Sequence, residues 1–427
     1  MNAPMRHFRQ TSAAVLVAAC LGWASPAAAD AVTDWNAIAL RAATAGRPGP
    51  VGLLDVAVVH VAVHDAVQAF EGRFEPYVVA IPDAAGAPEA AVAAAAHGVL
   101  VAIYPSQQGA LDTDYANYLA AHGLEGDPGL AVGQASAVAA QALYRPAPNP
   151  PLPPYVGGDA PGEWRPTPAA FAPHAFTYLV ATEPFTLLRP SQFRPPPPPP
   201  LTSDRYRRDY DEVKDLGARF GSSRTAEQTD VAYFWSDNTI AQWNRTLRGI
   251  ATTHVGDLGD SARLFALANL AMADALIGCW DSKLHYSFWR PVTAIREADL
   301  DGNPDTVADP GWEPLINTPN YADYVSGANS VTGAATRILQ HFFGTDELDF
   351  TITTNAGLAV QKSRTYTRIS DVAQEVVEAR MLLGLHFRFA DDEARRLGSR
   401  VASWAYRSVL RPLPGNDHGE AEGVSAP

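Results

Sequence analysis

A proline-rich stretch in the middle of the chain constrains the fold more than any other feature of the sequence. It covers about 60 residues and ends in the run "RPPPPPP" at 194–200. Proline fixes its own backbone angle and has no N–H to donate, so this run excludes regular helix and central strand. We predict an extended connection over 146–200, partly in polyproline II form. Its aromatic residues, including Trp164 and Tyr178, favour packing on the protein surface, and a disordered linker is the alternative.

The segments on both sides of this connection carry apolar residues at helical spacing, and no series of strands with period-two alternation is found. We predict an all-α fold of the helical-bundle type. It would be one domain, with an N-terminal half over about 30–145 and a C-terminal half over about 201–415. The predicted helices cover about 33–70, 87–103, 107–122, 130–144, 203–219, 225–250, 258–286, 329–343, 355–363 and 369–406.

The first 29 residues resemble an export signal. Arg6 and Arg9 precede the short apolar run "AAVLVAACLGWA", and "AAA" before Asp30 suits signal peptidase. We therefore predict a signal peptide over 1–29 and a periplasmic or secreted protein. "VAAC" ending at Cys20 also resembles a lipoprotein signal, which leaves anchoring through Cys20 as the alternative. After cleavage only Cys279 remains, and the apolar residues around it predict a small buried side chain.

The composition excludes some partners. The formal net charge of −14 argues against nonspecific binding to nucleic acid or to anionic membranes. No segment after the export signal is expected to cross a membrane. A cluster of cations in so acidic a chain is a local exception and therefore informative.

Such a cluster occurs in the C-terminal half. In "DSKLHYSFWRP", Lys283 and Arg290 are seven residues apart, about two helical turns, so one helical face would carry both. The surrounding aromatic residues favour a pocket for a tetrahedral oxyanion, and a solvated face is the alternative. Later, "YVSGANSV" places Ser326 and Gly327 at the start of a predicted helix, where free backbone N–H groups suit an anion.

The third part of the pattern is "ARMLLGLHFRF", which supplies Arg380 and His386. Their spacing of six residues does not place them on one helical face. A break near Gly384 would let both side chains reach a common point with the two earlier parts.

Together, "KLHYSFWRP", "YVSGA" and "ARMLLGLHFRF" resemble the three-part signature of the vanadium-dependent haloperoxidases and the related acid phosphatases of the type 2 phosphatidic acid phosphatase superfamily. The order and spacing match, and "VAVHDAVQAFEGRFEPY" and the proline run are similar to the secreted bacterial branch. The resemblance implies a helical-bundle fold and a pocket for vanadate, or for phosphate in the same place.

The resemblance also implies roles for individual residues. Lys283, Arg290 and Arg380 would neutralise the oxygens of the oxyanion, and arginine suits bidentate contacts. Ser326 and the Gly327 N–H would donate hydrogen bonds to the same oxygens. His386 would be the vanadium ligand, or the nucleophile if phosphate esters are the substrates.

The chain departs from the family signature at several positions. The histidine expected after Gly327 is Ala328, which cannot relay a proton, although general acid–base assistance is typically worth about 10²–10⁴-fold. The aspartate expected four residues after His386 is Ala390, with Asp391 one residue further on. Asn329 and His285 are possible accessory residues. Val325 and Ala379 replace the proline and serine of the signature.

These observations favour an enzyme, a vanadate-dependent peroxidase that uses hydrogen peroxide to oxidise a halide or an organic acceptor. One alternative is a phosphomonoester hydrolase acting through a phosphohistidine. The other is a noncatalytic oxyanion-binding protein, because Ala328 has replaced the acid–base histidine.

Two further groups have simpler interpretations. His60 and His64 are one helical turn apart, but no other metal-ligand pattern accompanies them, so we predict core histidines rather than a metal site. The acidic stretch "EADLDGNPDT" resembles a calcium loop with its glycine misplaced and without a closing glutamate. We predict an acidic surface turn there.

Overall fold

The computed structural model describes residues 30–414, apart from positions 48 and 150. The predicted signal peptide, its cleavage site and Cys20 lie outside the described residues. The helices are α1 Ala31–Gly46, α2 Gly52–Glu71, α3 Pro88–Ile103, α4 Gln108–His122, α5 Gly129–Ala140, α6 Asp204–Leu216, α7 Ala226–Phe234, α8 Thr239–His254, α9 Leu258–Tyr286, α10 Pro291–Arg296, α11 Gly327–Phe343, α12 Ile369–Leu382 and α13 Arg388–Ser408. The strands are β1 Glu347–Thr353 and β2 Ser363–Arg368.

The all-α prediction is confirmed, with one local correction. The helix predicted over 355–363 is wrong, because this segment joins the antiparallel strands β1 and β2. A cross-strand contact between the aromatic rings of Phe350 and Tyr366 packs one face of this hairpin, and both residues are buried. The pairing joins two consecutive segments across this loop, and the apolar pattern of the loop alone cannot reveal it.

Two central helices organise the bundle. Helix α2 packs against α1, α3 and α5 in the N-terminal half, and it also contacts α9. Helix α9 packs against α11 and α13, which form the most extensive helix pair in the C-terminal half. Gly333 and Gly398 allow this close approach, because a Cβ on either would lie within 2.3 Å of a backbone oxygen of the opposite helix.

Both central helices are long and apolar enough to cross a membrane, which corrects the expectation that no later segment has that property. In the structure, 89% of the apolar window of α2 and 100% of that of α9 are buried inside the protein. Their apolar surface is therefore used for packing against other helices. A bent pair, Pro88–Ile103 with Pro105–His122, passes the same test of length and composition.

The proline-rich segment lies against α9, as its aromatic residues indicate. Asp274 of α9 is fully buried and accepts hydrogen bonds from the backbone N–H groups of Phe185, Thr186 and Leu187 at 2.6–3.1 Å. Trp164 is also fully buried, and its backbone N–H donates to the Ser287 carbonyl at 2.6 Å. These contacts hold the connection next to the end of α9, where the candidate site begins.

Candidate oxyanion site

Lys283 and Arg290 meet at one place, but not on one helical face as predicted. Helix α9 ends at Tyr286, and Ser287 follows it in the left-handed conformation, with φ of 43°. Arg290 then lies at the N-terminus of α10, where Pro291 is the first helical residue. The turn brings both cations over the ring of Tyr321, with Lys283 Nζ at 5.0 Å and Arg290 Cζ at 4.9 Å from its centroid.

Both side chains are fully buried and partly satisfied by backbone oxygens. Lys283 Nζ donates to the carbonyls of Ala322 and Asp323 at 2.6 and 3.1 Å. Arg290 donates through Nε to the Tyr321 carbonyl at 2.7 Å and through Nη1 to the Leu385 carbonyl at 2.8 Å. Within the described residues, its Nη2 has no hydrogen-bond partner.

The serine and glycine of the second motif lie at the start of α11. Ser326 is the residue before the helix and Gly327 is its first residue, so the backbone N–H groups of this turn point away from the helix. The Ser326 hydroxyl makes no capping hydrogen bond and is buried. Its hydrogen bond with Asp391 lowers the pKa of that carboxyl, so a ligand would compete with Asp391 for the hydroxyl.

Arg380 and His386 come from the end of α12 and the loop after it. Gly384 breaks the helix there with φ of 74°, and a Cβ at this position would lie 2.5 Å from the Gly217 carbonyl oxygen, so the predicted break is present. The two ring nitrogens of His386 are 3.2 and 3.4 Å from Arg290 Nη1. Arg380 makes only a long contact of 3.5 Å to the Trp235 carbonyl, and its buried Nε has no partner in the described part of the chain.

Two buried carboxylates complete the cluster. Asp323 Oδ1 lies 2.7 Å from His386 Nδ1 and 3.7 Å from Arg290 Nη1. This contact is not an ion pair at neutral pH, because burial and the nearby cations lower the pKa of His386 well below its usual value. Asp391 accepts a hydrogen bond from Asn329 Nδ2 at 2.7 Å.

Sequence reasoning noted Asp391 only as a displaced residue and missed Asp323. Its position three residues before Ser326, immediately before the quoted motif, was the available signal.

The two possible accessory residues, Asn329 and His285, lie in different environments. Asn329 is fully buried beside the cluster. His285 is exposed and packs its ring edge-to-face against Tyr286 at 4.7 Å, so it points away from the cations. Its suggested accessory role is not supported by this placement. Ala328 leaves no titratable side chain at the position where the signature has histidine.

The electrostatics of the cluster show how strongly burial disfavours its charges. Burial lowers the pKa of Lys283 to about 8, and it also lowers the pKa values of Arg290 and Arg380. Burial, followed by the nearby cations, lowers the pKa of His386 well below its usual value, so the imidazole is neutral. A bound anion would offset the cost of burying these cations.

The pKa values of the two buried carboxyl groups are shifted upward. Burial raises the pKa of Asp323 to about 7, and Arg290 and Lys283 oppose this effect. Burial, with Asp323 nearby, also raises the pKa of Asp391 well above its usual value, while the hydrogen bond with Ser326, the charge of Arg380 and the hydrogen bond from Asn329 oppose it. The charged form is therefore easier to keep for the cations of the cluster than for its two carboxyl groups, and the net charge of the cluster is positive.

The hydrogen-bond donors of the cluster that have no partner indicate what kind of ligand the site fits. Arg290 Nη2 and Arg380 Nε are both buried and unpaired among the described residues. Buried polar groups are normally hydrogen-bonded, so two unpaired guanidinium nitrogens in one cation cluster mark the place of a ligand. The donor set, three cations, a hydroxyl and a neutral imidazole, fits a vanadate or phosphate ion.

The other candidate sites are structural. His60 Nε2 lies 2.7 Å from Asn36 Nδ2, and His64 Nε2 lies 3.1 Å from the Glu75 carbonyl. Both rings are completely buried. Cys279 is also buried. In the described part of the chain no group of three or more His, Cys, Asp or Glu side chains could hold a metal ion, and the acidic stretch after α10 forms turns in which Asp301 accepts from Thr306 at 2.8 Å.

Comparisons with known proteins identify the class. Residues 263–415 match a family model described as the VCPO second helical-bundle domain. The structure superposes on a bacterial vanadium-dependent iodoperoxidase with a TM-score of 0.77, at 22% identity over 91% of this chain and 98% of the other. A holo-type bacterial vanadium-dependent chloroperoxidase gives a TM-score of 0.69, at 21% identity over 90% and 98% of the two chains. The protein therefore has the fold of the vanadium-dependent haloperoxidases.

A sequence relative makes the relationship more specific. The vanadium chloroperoxidase of Curvularia inaequalis is 30% identical over 32% of this chain. The matched region spans 27% of the length of that curated relative. The matched part of the chain is thus homologous to vanadium chloroperoxidase, which agrees with the relationship inferred from the three motifs.

Proposed function

We propose that this protein is a vanadate-dependent peroxidase that uses hydrogen peroxide to oxidise a halide or a small organic acceptor. The observation that carries the proposal is the presence of unpaired buried guanidinium nitrogens on Arg290 and Arg380, beside Ser326 and His386. The family relationship supports vanadate as the ion that these donors bind. Bound vanadate would supply the Lewis-acid activation of peroxide.

The residues of the chain would have separate tasks. Arg290 and Arg380 would donate to the oxyanion through the nitrogens that are now unpaired. Lys283 is held by two carbonyl oxygens, so it contributes positive charge from a fixed position. His386, neutral because of its burial, has a lone pair with which it can bind the central atom of the ion.

The acid–base group is the weak point of the proposal. Ala328 cannot take or give a proton, and Asn329 does not titrate. A noncatalytic oxyanion-binding protein is therefore the second candidate. Both candidates need the same binding site, and only turnover separates them.

The first experiment is calorimetric titration of vanadate and phosphate into the wild-type protein, Arg290→Ala and His386→Ala. A charge-assisted hydrogen bond to a buried anion contributes roughly 1.5–3 kcal/mol, so Arg290→Ala should lower affinity about tenfold or more. His386→Ala should weaken vanadate binding further and abolish turnover. Arg41→Ala is the control, because Arg41 forms an exposed ion pair with Asp114 in the N-terminal half. Unchanged affinity in both site variants would refute the site.

The second experiment measures turnover of the vanadate-loaded protein with hydrogen peroxide and iodide, bromide or chloride, and hydrolysis of 4-nitrophenyl phosphate on the same sample. Halide oxidation supports the peroxidase, and ester hydrolysis supports a phosphatase. Turnover of the Ala328→His variant shows whether the protein has lost activity together with the acid–base histidine of the family signature. A gain of about 10²-fold or more would show that the missing histidine limits the reaction, whereas no gain would show that another group already serves.

We also propose that the protein is exported after cleavage of residues 1–29. The support is the charged start, the short apolar run and the small residues before Asp30. N-terminal sequencing of the mature protein is the test. A mature chain that begins at a lipid-modified Cys20 would replace soluble release by membrane anchoring.

A further inference from the structure

A buried histidine in the proline-rich connection has one ring nitrogen free. His174 is 5% exposed, and its Nδ1 lies 2.9 Å from the carbonyl oxygen of Ala175. A carbonyl oxygen can only accept a hydrogen bond, so in the neutral imidazole the proton is on Nδ1 and the lone pair is on Nε2. Nε2 is buried and has no hydrogen-bond partner among the described residues.

The backbone on both sides of His174 is attached to the segments that carry the oxyanion site. The Ala175 N–H donates to the Asn320 carbonyl at 2.8 Å, and the Asn320 side chain donates back to the Pro173 carbonyl at 2.9 Å. Trp280 Nε1, on α9, donates to the Ala175 carbonyl at 3.0 Å. The histidine is therefore fixed against α9 and against the loop before α11.

The imidazole ring and the cations of the site share an aromatic neighbour. The ring centroid of His174 lies 6.3 Å from that of Tyr321. Lys283 Nζ and Arg290 Cζ lie 5.0 and 4.9 Å from the same tyrosine centroid. The free nitrogen of His174 thus belongs to a ring that packs next to the proposed place of the oxyanion.

The surroundings of His174 keep its ring neutral near pH 7. Burial lowers its pKa to about 4, the hydrogen bond of its Nδ1 opposes this effect, and the charges of Lys283 and Arg290 add to it. Two further titratable side chains, the phenols of Tyr155 and Tyr321, pack against the ring. A bound anion would offset the charge of the two cations and raise this pKa, so the ring could take up a proton more easily in the loaded site.

We propose that His174 performs the proton transfer for which the chain has no histidine at position 328. The inference rests on the peroxidase activity proposed above. Nε2 takes one proton from hydrogen peroxide and leaves the hydroperoxide anion in the site. When the O–O bond breaks, one oxygen goes to the halide, which is oxidised by two electrons to hypohalite. The other oxygen leaves as water, after it has taken its second proton from the His174 imidazolium.

Other groups near the site are less suited to this transfer. Ala328 and Asn329 do not titrate, and His386 is assigned to the ion itself. His285 is exposed and points away from the cations. A general base must lie within reach of the proton that it takes, and His174 offers a lone pair beside the cations. The spacing within the three motifs could not reveal it, because it comes from the proline-rich connection.

The first test needs no turnover. In protein with ¹⁵N-labelled histidine, ring-nitrogen NMR at neutral pH should show His174 with a proton on Nδ1 and none on Nε2. Saturating orthovanadate should shift these signals, because the anion binds beside the ring. His64 is the matched control, since its Nε2 lies 3.1 Å from the Glu75 carbonyl and its buried Nδ1 has no described partner. Signals of His174 that do not respond to bound vanadate, or a proton found on Nε2, would overturn the inference.

The second test measures halide oxidation by vanadate-loaded wild-type protein, His174→Asn and His64→Gln. The amide nitrogen of asparagine can take the place of Nδ1, so this variant keeps the donor to Ala175 and loses the base. In His174→Asn, kcat should fall about 10²-fold or more, while calorimetry should find vanadate affinity close to that of the wild-type protein. His64→Gln should change neither quantity.

The third test asks whether a histidine elsewhere in the site replaces the lost base. Added to His174→Asn, Ala328→His should raise kcat about tenfold or more, whereas the gain in the wild-type background should be much smaller. A purely structural defect at His174 would not be relieved in this way. The same factor in both backgrounds, whether large or absent, would count against the inference.

The outcomes separate this inference from the proposed function. If the wild-type protein and His174→Asn oxidise halide equally well, His174 is not the base and the peroxidase stands. If the wild-type protein binds vanadate but oxidises no halide, the peroxidase is refuted and the inference with it. Near-ultraviolet circular dichroism checks the folding of each variant. If His174→Asn does not fold, the NMR response of the wild-type protein, assigned with His174→Gln, remains decisive.

Discussion

Two regions of the molecule bury arginine in opposite ways. In the N-terminal half, Arg47 pairs with the buried Asp55 at 2.7 Å, and the Tyr104 hydroxyl donates to the other oxygen of Asp55 at 2.5 Å. In the oxyanion site, Arg290 and Arg380 retain buried nitrogens that no described residue pairs. The pKa of Arg47 is raised by Asp55 and neighbouring tyrosines despite its burial, whereas burial lowers the pKa values of Arg290 and Arg380.

The contrast shows how a structural charge differs from a functional one in the same fold. The N-terminal group, Arg47, Asp55 and Tyr104, is complete without a ligand. The oxyanion site lacks enough acceptors for its donors and is complete only when an anion is present. Stability should therefore depend on the protein's own side chains in the first region and on the ligand in the second.

The largest effect is expected from Asp55→Ala. It leaves the Arg47 guanidinium and the Tyr104 hydroxyl without their acceptor, and breaking a buried pair in this way costs about 3–5 kcal/mol. Urea unfolding monitored by circular dichroism measures the change. Asp114→Ala, which breaks the exposed pair with Arg41, should cost about 1 kcal/mol or less. If both substitutions lower the free energy of unfolding equally, the buried pair stabilises the protein no more than the surface pair does.

A somewhat smaller effect is expected from the ligand. Vanadate at about 100 times its dissociation constant should raise the free energy of unfolding of the wild-type protein by about 2.7 kcal/mol. The same concentration, added to His386→Ala, should produce a much smaller increase, because the ligand atom is missing. Thermal unfolding with and without vanadate is the measurement. Equal stabilisation of both proteins would place the bound vanadate somewhere else.

The next effect concerns pH and the structural histidines. Burial, with Arg248 nearby, lowers the pKa of His60 to about 3 from 6.5 in the unfolded chain. Below pH 6.5 the unfolded chain binds a proton that the folded protein does not, so stability falls as the pH is lowered. This contribution reaches about 2 kcal/mol by about pH 5.

His60→Gln should remove that part of the acid sensitivity, although the loss of the contact with Asn36 lowers stability at neutral pH. The measurement is the free energy of urea unfolding at a series of pH values. The curve of the variant should be flatter between neutral pH and about pH 5. Parallel curves for the two proteins would mean that His60 is not responsible.

The smallest effect compares two arginines eight residues apart. Arg380 has one long hydrogen bond, whereas Arg388 makes bidentate contacts with Glu212 and Glu378 at 2.6–2.7 Å. Arg380→Met should change the free energy of unfolding by about 1 kcal/mol or less, since the loss of a poorly paired buried charge offsets the lost contact. Arg388→Met should cost more in the same denaturant titration. A larger cost at Arg380 would show that it is a structural residue.

Much of the fold could be predicted from local patterns. The predicted helices 87–103, 107–122 and 258–286 agree with α3, α4 and α9 to within about two residues, because their apolar spacing and their ends are encoded locally. Predicted segments such as 33–70 and 225–250 each proved to be two helices. The error at 355–363 arose where the pairing of the strands on either side of this segment overrode a short helical pattern.

The candidate site was predictable to a similar extent. Its five principal side chains, Lys283, Arg290, Ser326, Arg380 and His386, could be selected because fixed spacings in three ordered motifs mark them. Their convergence agrees with that selection, while their roles toward a ligand stay predictions. The exposed position of His285 could be expected, because it lies in α9 only two residues from Lys283 and therefore on another side of the helix. The entry of Asp323 into the cation cluster could not be derived, because it depends on how the chain turns before α11.

The sequence by itself determined the helical class, the two halves around the proline-rich connection and the set of donors offered to an anion. These depend on residue type and on spacing along the chain. Only the tertiary structure decided that Lys283 and Arg290 meet around a turn, that Arg290 and Arg380 each keep one buried nitrogen without a described partner and that Asp323 faces His386. Burial and pairing are properties of contacts between distant segments, so the balance of charge in the site exists only once α9, α11 and α12 have packed together.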